Sequence, residues 1–293
     1  MTDLQDERRT LTGLAYRMLG SLADAEDVVQ DAFVRWHRHP NPSEIESPHA
    51  YLVQTTVRLC IDRLKSARAR REVYVGPWLP EPVLDTEQLR LTPSALSELA
   101  SDLSFALLLA LERLSPLERA AFILHDVFDA EWTEVAATLG RSEVACRQLA
   151  SRARVHLRDE RARFQPSLEE RDRILNAFGG AIATGDLSAL SKLLSEEAVF
   201  VGDGGGAVKS ALRPVTGRDR VARLLLGLHA KALAQGGYHS FTSAWINGLP
   251  GVVLRSAARP VETLSLEVDV KGLIHAVYVV SNPSKLRHLV VEG

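Results

Sequence analysis

The chain has 293 residues, 46% of them hydrophobic and 25% charged, so it is long enough for two or three domains with cores of their own. Its formal net charge of −2 argues against a protein that binds nucleic acid over its whole surface. Two cysteines, Cys60 and Cys146, predict neither a disulfide framework nor a metal site, and no cofactor is expected. The N-terminus is polar and no apolar run approaches the roughly 20 residues of a membrane span, so we expect a cytoplasmic protein without membrane contacts.

An acidic helix is predicted near the N-terminus. Its apolar positions include Val28, Val29 and Phe33, at spacings that bury one face of a helix. Its acidic residues are Asp24, Glu26, Asp27 and Asp31. A charge run of this kind is most often a solvated face, and only its place in the chain gives it another meaning.

A second amphipathic helix ends in a basic stretch between residues 58 and 71. Its cations are Arg58, Arg63, Lys65, Arg68, Arg70 and Arg71. Cations near a helix C-terminus are favoured by the helix dipole alone, so a purely structural role stays open. The other interpretation is nucleic-acid binding, because duplex contact rewards spaced cationic patches.

A linker is predicted from Val73 to Thr92, because its prolines prevent a continuous helix. Within it, the run Trp78-Leu79-Pro80-Glu81-Pro82 places large apolar side chains where a solvated tether would carry none. They either cap the neighbouring helical domain or dock on another domain of the same chain.

The run from Glu131 to Arg158 predicts two helices joined by a turn at Gly140, with Ser142 as the N-cap of the second helix. The first helix would bury Trp132, Val135, Ala136 and Leu139, and the second Val144, Leu149 and Val155. The second helix also carries side chains that hydrogen-bond base edges or pair with phosphates. These are Arg141, Ser142, Glu143, Arg147, Gln148, Ser151, Arg152 and Arg154. The pattern is typical of a helix-turn-helix, although an ordinary helical hairpin with a solvated arginine face remains an alternative.

A further domain begins after Pro166. Helices are predicted from Leu168 to Thr184, where Ser167 would be the cap, from Asp186 to Leu194 and from Gly217 to Ala234. Runs of alternating or β-branched residues predict strands over Ala198 to Val201, Val208 to Leu212, Phe241 to Ile246, Val252 to Arg255, Val261 to Val270 and Leu273 to Val280.

The order of these segments resembles the extracytoplasmic-function (ECF) sigma factors of bacterial RNA polymerase. The resemblance is carried by LAYRMLGSLADAEDVVQDAFVRWHR from Leu14, YLVQTTVRLCIDRLKSARARR from Tyr51, and LERLSPLERAAFILHDVFDAEWTEVAATLGRSEVACRQLASRARVHLR from Leu111. It implies contacts with the largest and second-largest subunits of core RNA polymerase and with promoter DNA. By resemblance, Asp27, Val28, Val29 and Gln30 bind core polymerase, and Arg58, Asp62, Arg63, Lys65 and Arg68 face the melted minus-ten strand. The helix-turn-helix would read the minus-thirty-five element, and the loop from His37 to Pro48 lies where a flipped base is captured, with only His37, His39 and His49 as stacking surfaces.

The last domain resembles the cone-shaped α+β fold of the SnoaL and NTF2-like group, which some sigma factors of this family carry as a fused domain. Asp203-Gly204-Gly205-Gly206 and Asn282-Pro283-Ser284-Lys285-Leu286, together with the linker run, look like the signature of that subgroup. The glycines could also be a simple flexible turn. We interpret Trp78, Leu79, Pro80, Asp203, Gly204, Gly205, Gly206, Asn282, Pro283 and Leu286 as regulatory contacts within the chain.

The predicted fold class is therefore multidomain, with two all-α sigma domains, the second holding a helix-turn-helix, followed by the α+β cone. The boundaries are 1–72 for sigma region 2, 73–105 for the linker, 106–163 for sigma region 4 and 167–293 for the SnoaL-like domain. The predicted function is a sigma factor, not an enzyme, whose activity its own C-terminal domain modulates. The alternatives are a one-component DNA-binding repressor, or a SnoaL-like isomerase or cyclase using Asp203, His229, His239 or His275. The predicted partners also include a small-molecule ligand in the pocket of the cone-shaped domain.

Overall fold

The computed structural model describes residues 4–40, 45, 47–71, 74–84, 105–157, 167–256 and 259–289. They fall into two compact units. One contains residues 4–71 and 105–157, and the other contains residues 74–84 and 167–289. The beginning of the predicted linker thus belongs with the C-terminal part of the chain. The rest of that linker, residues 85–104, lies outside the described residues.

The first unit is helical. Its elements are α1 (Leu4–Leu19), α2 (Leu22–His37), α3 (Pro48–Arg71), α4 (Phe105–Glu112), α5 (Pro116–Phe122) with a π-helical turn (Ile123–Val127), α6 (Trp132–Leu139) and α7 (Glu143–Leu157). Ser115 and Glu118 form the capping box that starts α5.

The helices of the two sigma-like blocks pack together inside this first unit. Arg119 of α5 is buried and donates to the carbonyl oxygen of Met18 in α1 over 2.6 Å. Its other partner is Glu112, at 2.7 Å. Gln54 of α3 donates to the carbonyl oxygen of Ala137 in α6 over 2.8 Å. A buried cation that is paired on two sides fixes its neighbours, so α1, α4 and α5 are held in one arrangement.

The second unit is an α+β fold. Its elements are α8 (Leu168–Thr184), α9 (Leu187–Leu193), β1 (Leu194–Asp203), β2 (Val215–Thr216), α10 (Arg218–Ala234), β3 (Ser240–Ile246), β4 (Leu249–Ser256), β5 (Arg259–Val268) and β6 (Ile274–Val280). The strand order is β2-β1-β6-β5-β4-β3, with β1 and β6 parallel and the other neighbours antiparallel. Helices α8, α9 and α10 bury their apolar sides against this sheet, and the core includes Phe178, Leu190, Phe200, Val221 and Leu266.

These two units confirm the predicted fold class of helical domains followed by an α+β domain. The predicted helix from Leu168 to Thr184 is present with those bounds, because Ser167 and Glu170 form a capping box and Gly185 ends the helix in the left-handed conformation. The strand predicted over Val208 to Leu212 is wrong. Val208 is 40% exposed and Leu212 is 68% exposed, so this run has no buried face, and the strand forms at Val215–Thr216 instead.

Candidate functional site

Helix α2 presents a mixed surface to solvent and buries its valines. Asp27 is 65% exposed at its side chain and Gln30 is exposed, whereas Val28 and Val29 lie in the core. Buried side chains are not available for contact with a partner in this conformation, so α2 displays Asp27 and Gln30, and the assignment of Val28 and Val29 to polymerase contact stays a prediction. The helical period explains the burial, because Ala25, Val28, Val29, Ala32 and Phe33 share the inward face of α2.

Helix α3 carries its exposed polar side chains along one strip. Arg58, Asp62 and Lys65 are exposed at spacings of four and three residues. Arg63 instead turns toward α2, where it donates to Asp24 over 2.5 and 3.0 Å and to Asp27 over 3.1 Å. Two predicted site residues, Arg63 and Asp27, are thus paired with each other. Arg68 lies within α3, but its side chain is outside the described residues.

The predicted base-capture loop is described only at its edges, because residues 41–44 and 46 lie outside the described residues. His39 contacts the ring of Tyr51 edge-on at 5.7 Å, and His37 lies 4.8 Å from the ring of Trp36. His49 pairs with Glu7 at 2.8 Å, and this hydrogen bond raises the pKa of the His49 imidazole. Trp36 and Tyr51 are aromatic rings beside this loop that the sequence interpretation did not count among its stacking surfaces. Their aromatic character and position beside the loop were the available signals.

A helix-turn-helix joins α6 to α7. Gly140 ends α6 with φ 62° and ψ 41°, and the Ser142 hydroxyl accepts from the Ala145 amide over 3.3 Å. Six of the predicted DNA-contacting residues are exposed, and Glu143 is half-buried. The exposed ones are Arg141, Ser142, Arg147, Gln148, Ser151 and Arg152.

The inward face of α7 differs from the prediction. Val144 is 62% exposed and Val155 is 66% exposed, so only Leu149 of the three predicted residues packs inward. Small side chains fill the other inward positions, namely Cys146, Ala150 and Ala153, with Leu157 at the end. The exposed Val144 places an apolar group among the polar ones, where it can contact a thymine methyl group in a major groove.

An aromatic platform supports one arginine of α7. The ring of His125 lies 3.8 Å from the ring of Trp132, and the guanidinium of Arg147 lies 5.6 Å from the centre of the same indole. Arg147 also donates to Glu143 over 2.8 Å. A side chain that is held on two sides loses less conformational freedom when it binds a partner.

Arg154 is engaged elsewhere. Its guanidinium donates to both carboxylate oxygens of Asp126 over distances from 2.7 to 3.1 Å, in the fork geometry of a strong pair. Its side chain is 37% exposed, so in this structure it braces the π-helical turn instead of projecting freely from the reading face.

The second unit contains a clasp, which we define as Asp203, Lys285, Asn282 and the linker residues Tyr74 and Leu79. Asp203 is fully buried and its carboxylate is 2.7 Å from the Lys285 ammonium. The same carboxylate accepts from the Tyr74 hydroxyl at 2.6 Å and from the Leu79 amide at 2.9 Å. Asn282 donates to the Tyr74 hydroxyl over 2.8 Å. Lys285 also donates to the Leu79 carbonyl oxygen, so Asp203 and Lys285 together bind the backbone amide and the carbonyl of Leu79.

Aromatic rings and prolines complete this contact. The Lys285 ammonium lies 4.3 Å from the centre of the Trp78 ring and 5.2 Å from that of Tyr74, both cation–π distances. Leu79 and Pro80 are buried, and Leu286 is buried beside Lys285. Of the two interpretations of this apolar run, docking on the C-terminal domain is therefore the one that the structure shows.

The glycines after Asp203 permit close approach. A Cβ atom at Gly205 would lie 2.1 Å from the Asn282 side chain, and one at Gly204 would lie 2.0 Å from the Val208 carbonyl oxygen. Gly205 also has a φ of +59°, which favours glycine. The run therefore forms a tight turn that lets Asn282 reach the linker, which is a packing role beyond flexibility.

The linker continues as an added edge on the sheet. Val83 and Asn247 exchange two hydrogen bonds of 2.9 Å, and Leu84 forms an antiparallel bridge with Ile246 at the end of β3. His288 donates to the carbonyl oxygen of Pro82 over 2.7 Å. These contacts with Asn247 and His288 were not predicted, because nothing in the local sequence marks them. The linker from Tyr74 to Leu84 is thus bound along its length.

A cavity of about 560 Å³ lies between α8, α10 and the concave side of the sheet. Its walls are mainly apolar, and its polar residues include Glu262, Tyr238 and His229. Burial raises the pKa of Glu262, and the hydrogen bonds from Ser281 and Tyr238 oppose that rise. The sequence interpretation missed Glu262, which is one acidic residue within a strand.

The residues considered for catalysis do not form one constellation. Asp203 belongs to the clasp, His275 is exposed on β6, and His239 lies 3.5 Å from Ser256, while only His229 lines the cavity. Among the described residues, no group of three His, Cys, Asp or Glu side chains is placed to hold a metal ion. No helix within the described ranges is long and apolar enough to span a membrane.

Comparison with known proteins decides the family. Residues 4–70 match the Sigma-70 region 2 family and residues 104–157 match Sigma-70 region 4. The chain is 38% identical to the ECF RNA polymerase sigma factor SigJ of Mycobacterium tuberculosis, over 97% of this chain and 92% of that protein. The chain belongs to the ECF sigma factors. This sigma factor is also 32% identical to the probable ECF sigma factor SigI of the same species, over 97% and 94% of the two chains.

The likeness extends to the C-terminal domain. The crystal structure of M. tuberculosis SigJ superposes on this sigma factor with a TM-score of 0.73 at 34% identity, covering 97% of both chains. The α+β domain is therefore a part of the fold that the two proteins share. Sigma factors direct RNA polymerase and catalyse no reaction themselves, so this protein is a transcription factor and not an enzyme.

Proposed function

We propose that this sigma factor is regulated by its own C-terminal domain, which holds the linker through the clasp. The observation that carries the proposal is the buried carboxylate of Asp203, which binds Lys285 and two groups of the linker at once. A buried pair of this kind is specific in its geometry, because a misplaced partner leaves an uncompensated charge. The clasp is therefore a defined state of the linker that a regulator can favour or release.

We assign three binding surfaces by resemblance to the family. Core polymerase is bound by the exposed side of α2, with Asp27 and Gln30, and by its neighbouring surfaces. The melted minus-ten strand faces the strip of Arg58, Asp62 and Lys65 on α3, with Arg63 and Arg68 beside it. Helix α7 reads the minus-thirty-five element. The proposed domain boundaries are 1–72 for sigma region 2, 73–105 for the linker, 106–163 for sigma region 4 and 167–293 for the SnoaL-like domain.

Reading both promoter elements requires the two helical blocks to separate. The minus-ten and minus-thirty-five elements of a promoter are about 25 base pairs apart, which is roughly 85 Å of B-DNA at about 3.4 Å per base-pair step. A compact body of roughly 150 residues measures only about 40 Å across. The packed arrangement of α1, α4 and α5 thus cannot place both readers on one promoter, and the linker length that the clasp leaves free sets how far they can part.

Run-off transcription on one promoter tests this regulation. The proteins are the full-length chain, a chain ending at Ser281, a chain ending at Phe164 and the Trp78→Ala variant. Ending at Ser281 removes Lys285 and Asn282, so we expect it to release the linker and raise activity. The Phe164 chain and Trp78→Ala should also change activity without changing base preference, because coupling requires two states with different contacts. Equal transcription from all four proteins would contradict the proposal.

Arg147→Ala is expected to relax base preference at one or two positions of the minus-thirty-five element. A guanine contact made by a held arginine typically gives about 1–3 kcal/mol of discrimination. The comparison is Arg158→Ala, at the position after the described end of α7, which should weaken all sequences alike and lower the salt dependence. Binding of holoenzyme to a panel of single-base promoter variants measures both. Identical profiles would show that Arg147 is a phosphate contact.

The cavity of the C-terminal domain fits a small-molecule regulator, which we include in the proposal. Its volume of about 560 Å³ lies within the range of roughly 300 to 1,000 Å³ that ligand pockets occupy. Phe241 is 73% exposed and Leu233 is 60% exposed, and both line the cavity, so its entrance opens to solvent. The one-component repressor, which would bind duplex DNA tightly without core polymerase, is not supported, because the chain belongs to the sigma factors.

A further inference from the structure

The cavity has one acidic residue in walls that are mainly apolar, and its other polar lining residues include Asn176, His229, Tyr238 and Ser243. Glu262 of β5 lines it, and its carboxylate accepts from the Tyr238 hydroxyl over 3.1 Å and from the Ser281 hydroxyl over 2.8 Å. Leu175, Phe178 and Leu225 are among the apolar walls. A carboxylate can accept about four hydrogen bonds, so Glu262 keeps capacity for a ligand.

The chemistry of Glu262 selects the polar group of that ligand. Burial raises its pKa, so the neutral acid is easier to form here than in water. A hydroxyl group donates to the carboxylate and accepts from the acid, so it fits both protonation states. A ligand carboxylate would be repelled by the Glu262 carboxylate. A purely apolar molecule would form no hydrogen bond with Glu262.

From this geometry we infer that the cavity binds an apolar molecule with a neutral hydroxyl group directed at Glu262, and that binding strengthens the clasp through Ser281. The second part rests on the regulatory role proposed above. The first part concerns the cavity alone and can be tested separately.

The path from the cavity to the clasp is one residue long. Ser281 donates to Glu262 through its hydroxyl, while its backbone amide donates to the Asp203 carbonyl oxygen over 2.8 Å. The next residue, Asn282, donates through its backbone to the same carbonyl over 3.1 Å and through its side chain to Tyr74. A ligand that fits the cavity as it stands stabilises this conformation, because binding favours the state to which the ligand is complementary.

Binding to the full-length protein tests the ligand class with three matched probes, 2-naphthol, 2-naphthoate and naphthalene. We expect 2-naphthol to bind wild type about tenfold more tightly than either of the others, the difference that one good hydrogen bond makes. Glu262→Leu should remove the preference for 2-naphthol over naphthalene, because it removes the hydrogen-bond partner of the hydroxyl group. Glu262→Gln should retain 2-naphthol binding and also admit 2-naphthoate, because it removes the charge and keeps the shape. A structural role for Glu262 would not produce this exchange of specificity.

Leu254→Trp is the occlusion control, since Leu254 lines the cavity and a larger ring would fill it. Thermal unfolding of each variant shows that it folds. Equal binding of the three probes to wild type, or 2-naphthol binding that survives Leu254→Trp, would overturn the assignment of the cavity.

Hydrogen exchange of the linker amides, residues 74–84, tests the coupling. At a 2-naphthol concentration ten times its Kd, we expect exchange in wild type to slow by up to about tenfold, the limit that linkage sets. Ser281→Ala should bind the probe and lose this effect. Unchanged exchange in wild type despite probe binding would overturn the coupling. The transcription experiment above decides the regulatory role independently, since it uses no probe.

Discussion

Asp27→Lys combined with Gln30→Ala is expected to abolish co-purification of this sigma factor with core RNA polymerase. Both side chains lie on the exposed side of α2, and Asp27 is 65% exposed, so the change alters the surface and not the core. Reversing a charge in an interface replaces an attraction by a repulsion and commonly costs several kcal/mol. The measurement is the yield of core polymerase retained on the tagged protein over a range of salt concentrations.

The control is a charge reversal of the same kind in the other unit of the chain. Asp219→Lys lies on α10, where the side chain is 71% exposed and pairs only loosely with Arg223 at 3.8 Å. It should retain core polymerase as wild type does. Because Asp27 also contacts Arg63, the variant Arg63→Ala shows whether loss of that pair alone weakens retention. Wild-type retention by the double variant would contradict the role of α2.

Lys285→Met is expected to destabilise the C-terminal domain by about 3–5 kcal/mol, the usual cost of removing one partner from a buried pair. Asp203 is fully buried and Lys285 is 6% exposed, so the remaining carboxylate would keep no cation beside it. The linker should be released at the same time, because Lys285 donates to the Leu79 carbonyl oxygen. Chemical denaturation followed by circular dichroism measures the loss, and linker hydrogen exchange measures the release.

Two further variants separate the charge from the packing. Lys209→Met removes an exposed lysine of the same domain and should leave the unfolding midpoint unchanged. Adding Asp203→Asn to Lys285→Met should recover part of the lost stability, because the amide carries no charge and its one oxygen still accepts one of the two hydrogen bonds that Tyr74 and Leu79 donate to separate carboxylate oxygens. If Lys285→Met unfolds like wild type, the buried pair contributes no stability and the clasp has another basis.

Local signals in the sequence determined where many elements begin and end. Ser167 with Glu170 starts α8, and Gly185 ends it, because these residues satisfy the helix termini without help from the rest of the chain. The turn at Gly140 and the cap at Ser142 are equally local, so the helix-turn-helix was predictable. The runs of β-branched residues identified β3 to β6, although some of their ends moved by up to three residues.

The tertiary structure decided which side chains are buried and which are exposed. Val144 and Val155 are apolar, yet they are exposed because Cys146, Ala150 and Ala153 fill the close contact of α7 with its neighbours. The run from Val208 to Leu212 has strand-like composition, but it pairs with none of the strands within the described residues. Composition gives the propensity of a segment, and only its neighbours decide which face is buried.

The candidate regulatory site shows the same division. The sequence by itself determined that Trp78 and Leu79 needed an apolar partner, because large apolar side chains are rarely left in water. It could not determine that Lys285 binds Asp203 across 82 positions, or that Asn282 binds Tyr74 across 208. In the sequence, Glu262 was likewise indistinguishable from a surface carboxylate, and only the tertiary structure places it in the wall of the cavity. Contacts between distant positions carry no local pattern, so only the tertiary structure decided which polar groups meet.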